Sequence, residues 1–432
     1  MTAATTTATH RAIETVWKLE APRLIAGLLR LVRDLDQAED LAQEALLIAL
    51  EHWPAQGIPD NPGAWLMTTA KRRALDGLRR QKMLARKHEE LGYELEAEQN
   101  ESDPVSEQAA AAGTGDDLLR LMFIACHPLL APEARVALTL RLLGGLRTDE
   151  IARAFLTPEK TIAQRIVRAK RKLAEHQVPF EEPNEAMLRE RLATVLEVVY
   201  LIFNEGYTAT AGEDWLRPAL CEDALRLGRI LAGIAPREAE VHGLMALLEL
   251  QASRLAARTD ADGAPILLQD QNRARWNQLL IRRGLAALAR ARQLASTPGP
   301  YRLQAEIAAC HARARRAEDT DWHAIAAFYA ELARLLPSPV VELNRAVALT
   351  MAQGAQAGLA HLDTLRDEPA LREYHLLPSV RGDFLFRLGR YPEARAEFTR
   401  AAALTRNARE QALLLDRARA CENAAGTSGP AP

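Results

Sequence analysis

Apolar residues return every three or four positions over most of this chain, and no stretch sustains the every-other-residue alternation of a half-buried strand. The pattern predicts an almost wholly α-helical protein. Leu35 to Trp53 reads as one amphipathic helix, ended by Pro54 and the loop AQGIPDNPG. Leu41, Ala45 and Ile48 point one way; Asp36, Asp40, Gln43 and Glu44 share a polar stripe on the other face. A second helix starts near Gly63 or Ala64, with Trp65, Leu66 and Leu75 as its core side. The segment from Gly145 to Leu173 reads as two short helices and a tight turn. Thr148 is placed to cap the first, with Asp149 and Glu150 in its first turn, where the helix dipole favours acids. Thr157 then Pro158 reads as a cap followed by proline at the first helical position. Ile162, Ile166, Ala169 and Leu173 recur along one face; Gln164, Arg165, Arg168, Arg171 and Lys172 occupy the other. A basic second helix is how helix-turn-helix proteins enter the major groove. An amphipathic hairpin with a solvated charged face has the same pattern.

At 432 residues the chain has room for two to four domains, and its net charge of −2 points to no particular partner. The distribution of charge says more. Residues 61 to 87 carry eight basic residues and one acid, while residues 88 to 117 carry ten acids and no Lys or Arg. From Pro158 to Leu173 there are six basic residues and one acid. Two basic modules joined by an acidic linker follow: 11–87, 88–115 and 116–177. The proline-bearing VPFEEPNE sets off a helical region, 185–432. Cys126, Cys221, Cys310 and Cys421 lie about a hundred residues apart with no CxxC or Cys/His spacing, so neither a zinc site nor a cofactor is expected and the thiols are expected buried and reduced. The polar start MTAATTTATH is expected to fray. With no signal peptide and no apolar run of membrane-spanning length, a cytoplasmic protein without membrane contact is expected. HExxH, P-loop, GxSxG and strand-borne GxGxxG motifs are absent, which argues against an enzyme.

Near the C-terminus, Gly382, Leu385, Gly389, Tyr391, Ala394, Phe398 and Ala401 follow the spacing of a tetratricopeptide unit, and Ala346 stands 36 residues before Gly382 as a weaker copy. Repeat-like hairpins are therefore expected over about 339–410; non-repetitive hairpins are the alternative. Asn204 to Tyr207 and Asp270 to Trp276 form two polar islands, readable as a ligand site or, more simply, as helix caps and interhelix hydrogen bonds. Trp215, Trp276 and Trp322 read as core.

Three stretches together resemble the extracytoplasmic-function (ECF) sigma factors: LDQAEDLAQEALLIAL, NPGAWLMTTAKRRALDGLRRQ and the helix-turn-helix. YLIFNEGYTA, LLQDQNRARWNQLLI and PSPVVELNRAVAL resemble the long C-terminal extension of one subgroup. The resemblance implies an all-α protein with two small sigma domains and a tetratricopeptide-like tail. It implies that Asp36, Asp40, Gln43 and Glu44 bind the clamp helices of the largest subunit of core RNA polymerase, with the flap as a second contact. It implies that Asn61, Trp65, Lys71, Arg72, Arg73, Arg79 and Arg80 bind the −10 element. Many relatives carry Asn at the position of Arg72, so base preference there does not transfer. Lys160, Thr161, Ala163, Gln164, Arg165, Val167, Arg168, Arg171 and Lys172 then bind the −35 element, Arg and Gln suiting guanine and adenine and Lys suiting phosphate. The turn Phe155-Leu156-Thr157 lacks the small residues common in relatives. Promoter DNA, core polymerase and a regulatory protein on the tail are the implied partners. Two rival readings are a one-component DNA-binding regulator with a tetratricopeptide sensor and a ligand-processing helical domain around Glu205 or Asp270.

Overall fold

The computed structural model of the chain describes residues 3–90, 115–155, 157–176, 178, 185–209 and 215–427. These fall into two compact units, residues 1–198 and 199–432. The middle of the expected acidic linker, 91–114, and most of the VPFEEPNE boundary lie outside the described residues. Among the described residues there is no strand, only an isolated bridge between Thr259 and Pro265.

The first unit contains α1 (Ala3–Val32), α2 (Leu35–Gln56), α3 (Pro62–Glu90), α4 (Gly115–Ala125), α5 (Pro132–Leu142), α6 (Thr148–Ala154), α7 (Glu159–Glu175) and the beginning of α8 (Glu185–Tyr207). Helices α1, α2 and α3 pack on one another, with α4 against α1. Leu24, Ile25 and Leu28 of α1, Ala38, Leu41, Ala42 and Ala45 of α2, and Leu66, Met67 and Ala70 of α3 are all buried. Helix α7 lies against α5 and α6 through Ile162, Ile166, Ala169 and Leu173, the four residues of the expected apolar face.

Several element ends differ from the sequence reading. Helix α1 runs through the polar start that was expected to fray, because once a buried face such as Ile13, Leu24 and Leu28 has nucleated a helix, adding Ala and Thr residues costs little. Pro54 does not end α2. It sits inside the last turn, and the helix closes at Gly57, whose φ of 86° is open to glycine and whose N–H bonds the Trp53 carbonyl at 2.9 Å. Helix α3 starts at Pro62: the Asn61 side chain accepts the Ala64 N–H at 3.1 Å, a cap with proline at the first helical position. Neither threonine of the helix-turn-helix segment acts as the expected cap. Thr148 is already helical, and the Glu150 carboxylate takes the Arg147 N–H at 2.8 Å. The Thr157 hydroxyl donates to the Phe155 carbonyl at 3.1 Å, and α7 follows Pro158 without a side-chain cap.

The second unit continues α8 and adds α9 (Pro218–Ile234), α10 (Ala239–Ala252), α11 (Gln278–Leu294), α12 (Pro300–Arg313), α13 (Trp322–Leu335), α14 (Pro339–Gln353), α15 (Ala355–Asp363), α16 (Leu376–Arg387), α17 (Tyr391–Leu404) and α18 (Ala408–Thr427). From α12 on, each helix packs on its sequence neighbour. The expected repeat hairpin is α16–α17. A Cβ on Gly382 would stand 2.8 Å from the Phe398 ring, so only glycine lets that fully buried aromatic sit between the helices. Gly389, with φ of 73°, makes the turn. One hairpin earlier, Ala346 of α14 is buried and Gly358 of α15 meets Thr350 at a distance no Cβ could share.

Candidate nucleic-acid interface

Helix α2 carries the acidic stripe, held at its start by Asp34, whose side chain accepts the Gln37 N–H at 2.7 Å. Asp36 and Asp40 are exposed, Glu44 is exposed, and Gln43 is half-buried. Three of the four are engaged within the chain. The Lys170 ammonium reaches Asp36 at 2.7 Å, Gln43 donates to Glu39 at 3.0 Å, and Arg73 of α3 pairs with Glu44 at 3.1 Å. Glu39 is the residue sequence reasoning missed. It is 5% exposed, and its carboxylate takes Arg141 at 2.5 Å and Lys170 at 2.6 Å. An acid directly after Ala38, beside the buried Leu41 and Ala42 face, was the available signal.

On α3, Trp65 is half-buried and meets buried Trp53 edge to face, ring centroids 5.3 Å apart. The cations of this helix divide. Arg72, Arg79 and Arg80 are exposed and carry no hydrogen bond or ion pair to a described residue. Arg73 is held by Glu44. Lys71 is half-buried, and burial together with the neighbouring Arg30 charge holds its pKa below the usual lysine value. Asn61 is exposed and spends its side-chain oxygen as a cap.

Helix α7 presents its polar face to solvent. Lys160, Gln164, Val167, Arg168, Arg171 and Lys172 are exposed; Thr161, Ala163 and Arg165 are half-buried at its edges. Val167 is 63% exposed, an apolar side chain in the middle of a polar face. Arg171 pairs with Glu175 at 3.4 Å, and Lys172 donates to the Leu129 carbonyl at 2.6 Å. Lys160, Gln164, Arg165 and Arg168 make no hydrogen bond or ion pair with a described residue. A helix fixed by its buried side, with free guanidinium and amide groups on the other, has the donor set that base edges and phosphates accept.

The two polar islands of the second unit are built into the fold. Glu205 pairs with Arg217, and at Gly206 α8 comes so close to α9 that a Cβ would stand 2.7 Å from the Cys221 nitrogen. Arg258, 8% exposed, lies 3.6 Å over the Tyr207 ring and 4.5 Å from the Trp215 ring, and it donates to the Tyr207 carbonyl at 3.0 Å. It thereby caps the end of α8. In the second island, Asn272 caps a single helical turn and Gln271 donates to the Ile266 carbonyl at 3.1 Å. Arg273 donates to the His311 and Ala314 carbonyls at 2.5 and 2.8 Å, closing the end of α12. Asp270 and Arg275 are exposed, and Trp276 is buried. Trp215 and Trp322 are half-buried, the latter edge-on to His311. All four cysteines are free; burial pushes the Cys126 and Cys221 thiols up to about 12. No group of His, Cys, Asp and Glu among the described residues has the geometry of a metal site, and no described helix is long and apolar enough to cross a membrane.

Three family models match the chain: Sigma-70 region 2 over residues 17–83, Sigma-70 region 4 over 120–173, and a family of unknown function, DUF6596, over 191–292. The first spans α2 and nearly all the basic part of α3; the second spans α5 to α7. An uncharacterized protein of Rhizobium meliloti (strain 1021) is 44% identical over 394 residues, 91% of this chain and 92% of its own length. The ECF RNA polymerase sigma factor SigK of Mycobacterium ulcerans (strain Agy99) is 32% identical over 148 residues, 33% of this chain and 74% of its own. The probable ECF RNA polymerase sigma factor SigI of Mycobacterium tuberculosis (strain ATCC 25618 / H37Rv) is 28% identical over 203 residues, 44% of this chain and 68% of its own. Both sigma models, lying over an acidic helix, a cationic helix and an outward-facing basic helix in that order, and the similarity to SigK over most of its length establish that the chain belongs to the ECF RNA polymerase sigma factors, DNA-binding factors of transcription initiation.

Proposed function

We propose that the first unit does the promoter work and that the second regulates it. Helix α2 docks on the clamp helices of core polymerase through Asp36, Asp40, Gln43 and Glu44. Helix α3 holds the −10 element, with Arg72, Arg79 and Arg80 neutralising the backbone of the opened strand beside Trp65 and Asn61. Helix α7 reads the −35 duplex: Gln164, Arg165 and Arg168 face bases, Lys160 and Lys172 face phosphates. The acidic segment between the modules follows the polymerase toward the RNA exit path. The observation that supports this reading is the outer face of α7, where Lys160, Gln164, Arg165 and Arg168 meet no partner among the described residues, on a helix anchored by four buried residues.

The second unit acts in cis or holds a partner protein. Its paired helices, spaced by Gly382 and Gly358, support this reading. In vitro transcription tests both parts, with core polymerase, genomic promoter fragments, the full chain and a chain ending at residue 198. Discrete start sites that depend on the protein are expected. Binding of duplex promoter DNA without polymerase, and no start sites with it, would favour the one-component regulator instead. Equal output from the two chains would remove the regulatory role of the second unit.

A further inference from the structure

One half-buried arginine of the second unit is left over by the fold. Arg258 caps the end of α8 and Arg273 the end of α12, so helix carbonyls account for both. Arg254, just beyond α10, bonds no described carbonyl and no described carboxylate. Its side chain donates to Gln251 Oε1 at 2.9 Å and makes no other hydrogen bond with a described residue. A guanidinium has five N–H donors in a planar fork. None of the Arg254 nitrogens is buried without a partner, so its remaining donors open to water.

Its surroundings are aromatic and cationic. The Arg254 guanidinium stands 5.8 Å from the centre of the Tyr207 ring and 5.8 Å from that of Trp276. Each ring carries a second arginine: Arg258 over Tyr207 at 3.6 Å, and Arg273 over Trp276 at 4.7 Å. None of the three forms an ion pair with a described residue; Asp319 and Glu318 act on Arg273 only from beyond contact distance. Burial first, and then the Arg254 charge, holds the pKa of both Arg258 and Arg273 below the usual arginine value. Aromatic faces attract cations but carry no charge to offset three of them. Buried donors without an acceptor collect at the same place. Nε of Arg258, 8% exposed, Nε1 of Trp276, 3% exposed, and Nε of Arg273 are all buried and bonded to nothing. Oε1 of Gln271 is an unpaired buried acceptor beside them in the chain. Native folds leave few such groups, and each calls for an explanation. Cations without an anion and N–H groups without an acceptor are complementary to one kind of ligand, an oxyanion. Half-buried Tyr207, Arg254 and Arg273 leave the cluster open to a small one, while the depth of Arg258 and Trp276 keeps larger groups out.

We propose that Arg254, with Arg258 and Arg273 around it, anchors an anion site in the second unit, and that the site takes a small molecule carrying a carboxylate or phosphate group. Arg254 offers the group its planar fork, Arg258 and Arg273 add positive charge across the Tyr207 and Trp276 rings, and the unpaired N–H groups accept its oxygens as partners. The promoter work proposed above has no part in this, because every reading is taken on the free full-length chain. Isothermal titration calorimetry with inorganic phosphate and with succinate, at one ionic strength in chloride buffer, separates the two ligand classes. At least one of these anions is expected to bind, and Arg254→Gln is expected to weaken that binding about tenfold or more. Thermal unfolding is the second readout: the anion that binds should raise the midpoint of the native chain and leave that of the variant in place. Phosphate also stabilises folds in general by exclusion from their surface, so an equal rise in both proteins would be a salt effect and would overturn the site. Two other results would overturn it as well: no binding of either anion to the native chain, or binding that is unchanged in Arg254→Gln, which would make Arg254 a structural cation.

Discussion

Both units are rich in arginine, and the arginines on the outer faces of α3 and α7 stand differently from those that close the second unit. In the second unit several guanidinium groups are closed into the fold: buried Arg258 and half-buried Arg273 cap helix ends, and exposed Arg292 and half-buried Arg302 converge on buried Glu306. In the first unit Arg72, Arg79 and Arg80 of α3 and Arg165 and Arg168 of α7 meet no described partner. A cation that satisfies a helix end earns its place through stability. A cation left in water on the polar side of an anchored helix adds little to stability, so its value lies in what it binds. Partner state alone does not mark an interface, since Arg282, Arg283 and Arg290 of α11 are also exposed and meet no described partner; what sets the first unit apart is such cations gathered on the polar faces of α3 and α7.

The sharpest way to break that comparison is to injure the scaffold alone. Phe398→Ala removes a fully buried ring that fills the space left by Gly382, and about 3–5 kcal/mol of stability should be lost from the second unit. Chemical denaturation should show an earlier transition for that unit, while affinity for a −35 duplex stays as it was. A parallel loss of DNA affinity would show that the two units are not separable in this way.

Acid should act next most strongly, and again on the second unit. His311 is 8% exposed; burial first, and then the charges of Arg254 and Arg273, pull its pKa down to about 3. Above pH 6.5 the imidazole is neutral in both folded and unfolded chains, so it contributes no pH dependence. Between about 6.5 and 3 the unfolded chain takes up a proton that the folded chain refuses, and stability falls by roughly 1.4 kcal/mol per unit as pH drops. Below about 3 the loss levels off. His311→Phe keeps an aromatic against Trp322 and removes the titration, so its stability should fall less than that of the native protein between pH 7 and 4. Identical pH profiles would contradict this assignment.

In the first unit the order of effects reverses. Arg168→Ala should leave stability within about 0.5 kcal/mol, since no partner among the described residues is lost. It should weaken the native −35 element by about 1–3 kcal/mol and relax specificity at one base pair. Uniform weakening on every sequence would make Arg168 a phosphate contact.

Much of this organisation was readable in the sequence, for a physical reason: helical periodicity marks which side is buried. Ile162, Ile166, Ala169 and Leu173 of α7, and Leu41 and Ala45 of α2, are buried as their spacing requires. The repeat glycine Gly382 announced its aromatic partner because close approach demands it. Element ends were less legible. Pro54 near a C-terminus and a hydroxyl at Thr157 have more than one way to satisfy their neighbours, and tertiary context chose. The place of Glu39 on the buried face was legible, but its partners were not: Arg141 and Lys170 come from another module, and no local pattern encodes a pairing over a hundred residues away. The polar islands at 204–207 and 270–276 were visible, but their assignment as caps needed the carbonyls that Arg258 and Arg273 reach.

The smallest expected effect separates two arginines on one helix. Arg80 of α3 is exposed and meets no described partner, whereas Arg73, also exposed, is tied to Glu44. If both lie along the opened −10 strand, Arg80 displaces a counterion from DNA at no internal cost, while Arg73 must first leave a carboxylate. A phosphate contact to single-stranded DNA contributes about 0.7 to the slope of log affinity against log salt. Arg80→Ala should therefore lower that slope by about 0.7 for promoter complexes with core polymerase, and Arg73→Ala should lower it by less. The exposed Arg73–Glu44 pair is itself worth at most about 1 kcal/mol, so the difference between the two variants is modest and needs the full salt series rather than a single affinity. A larger slope change from Arg73→Ala would mean that the pair opens on DNA and that its cation, once released, lies nearer the strand than Arg80 does.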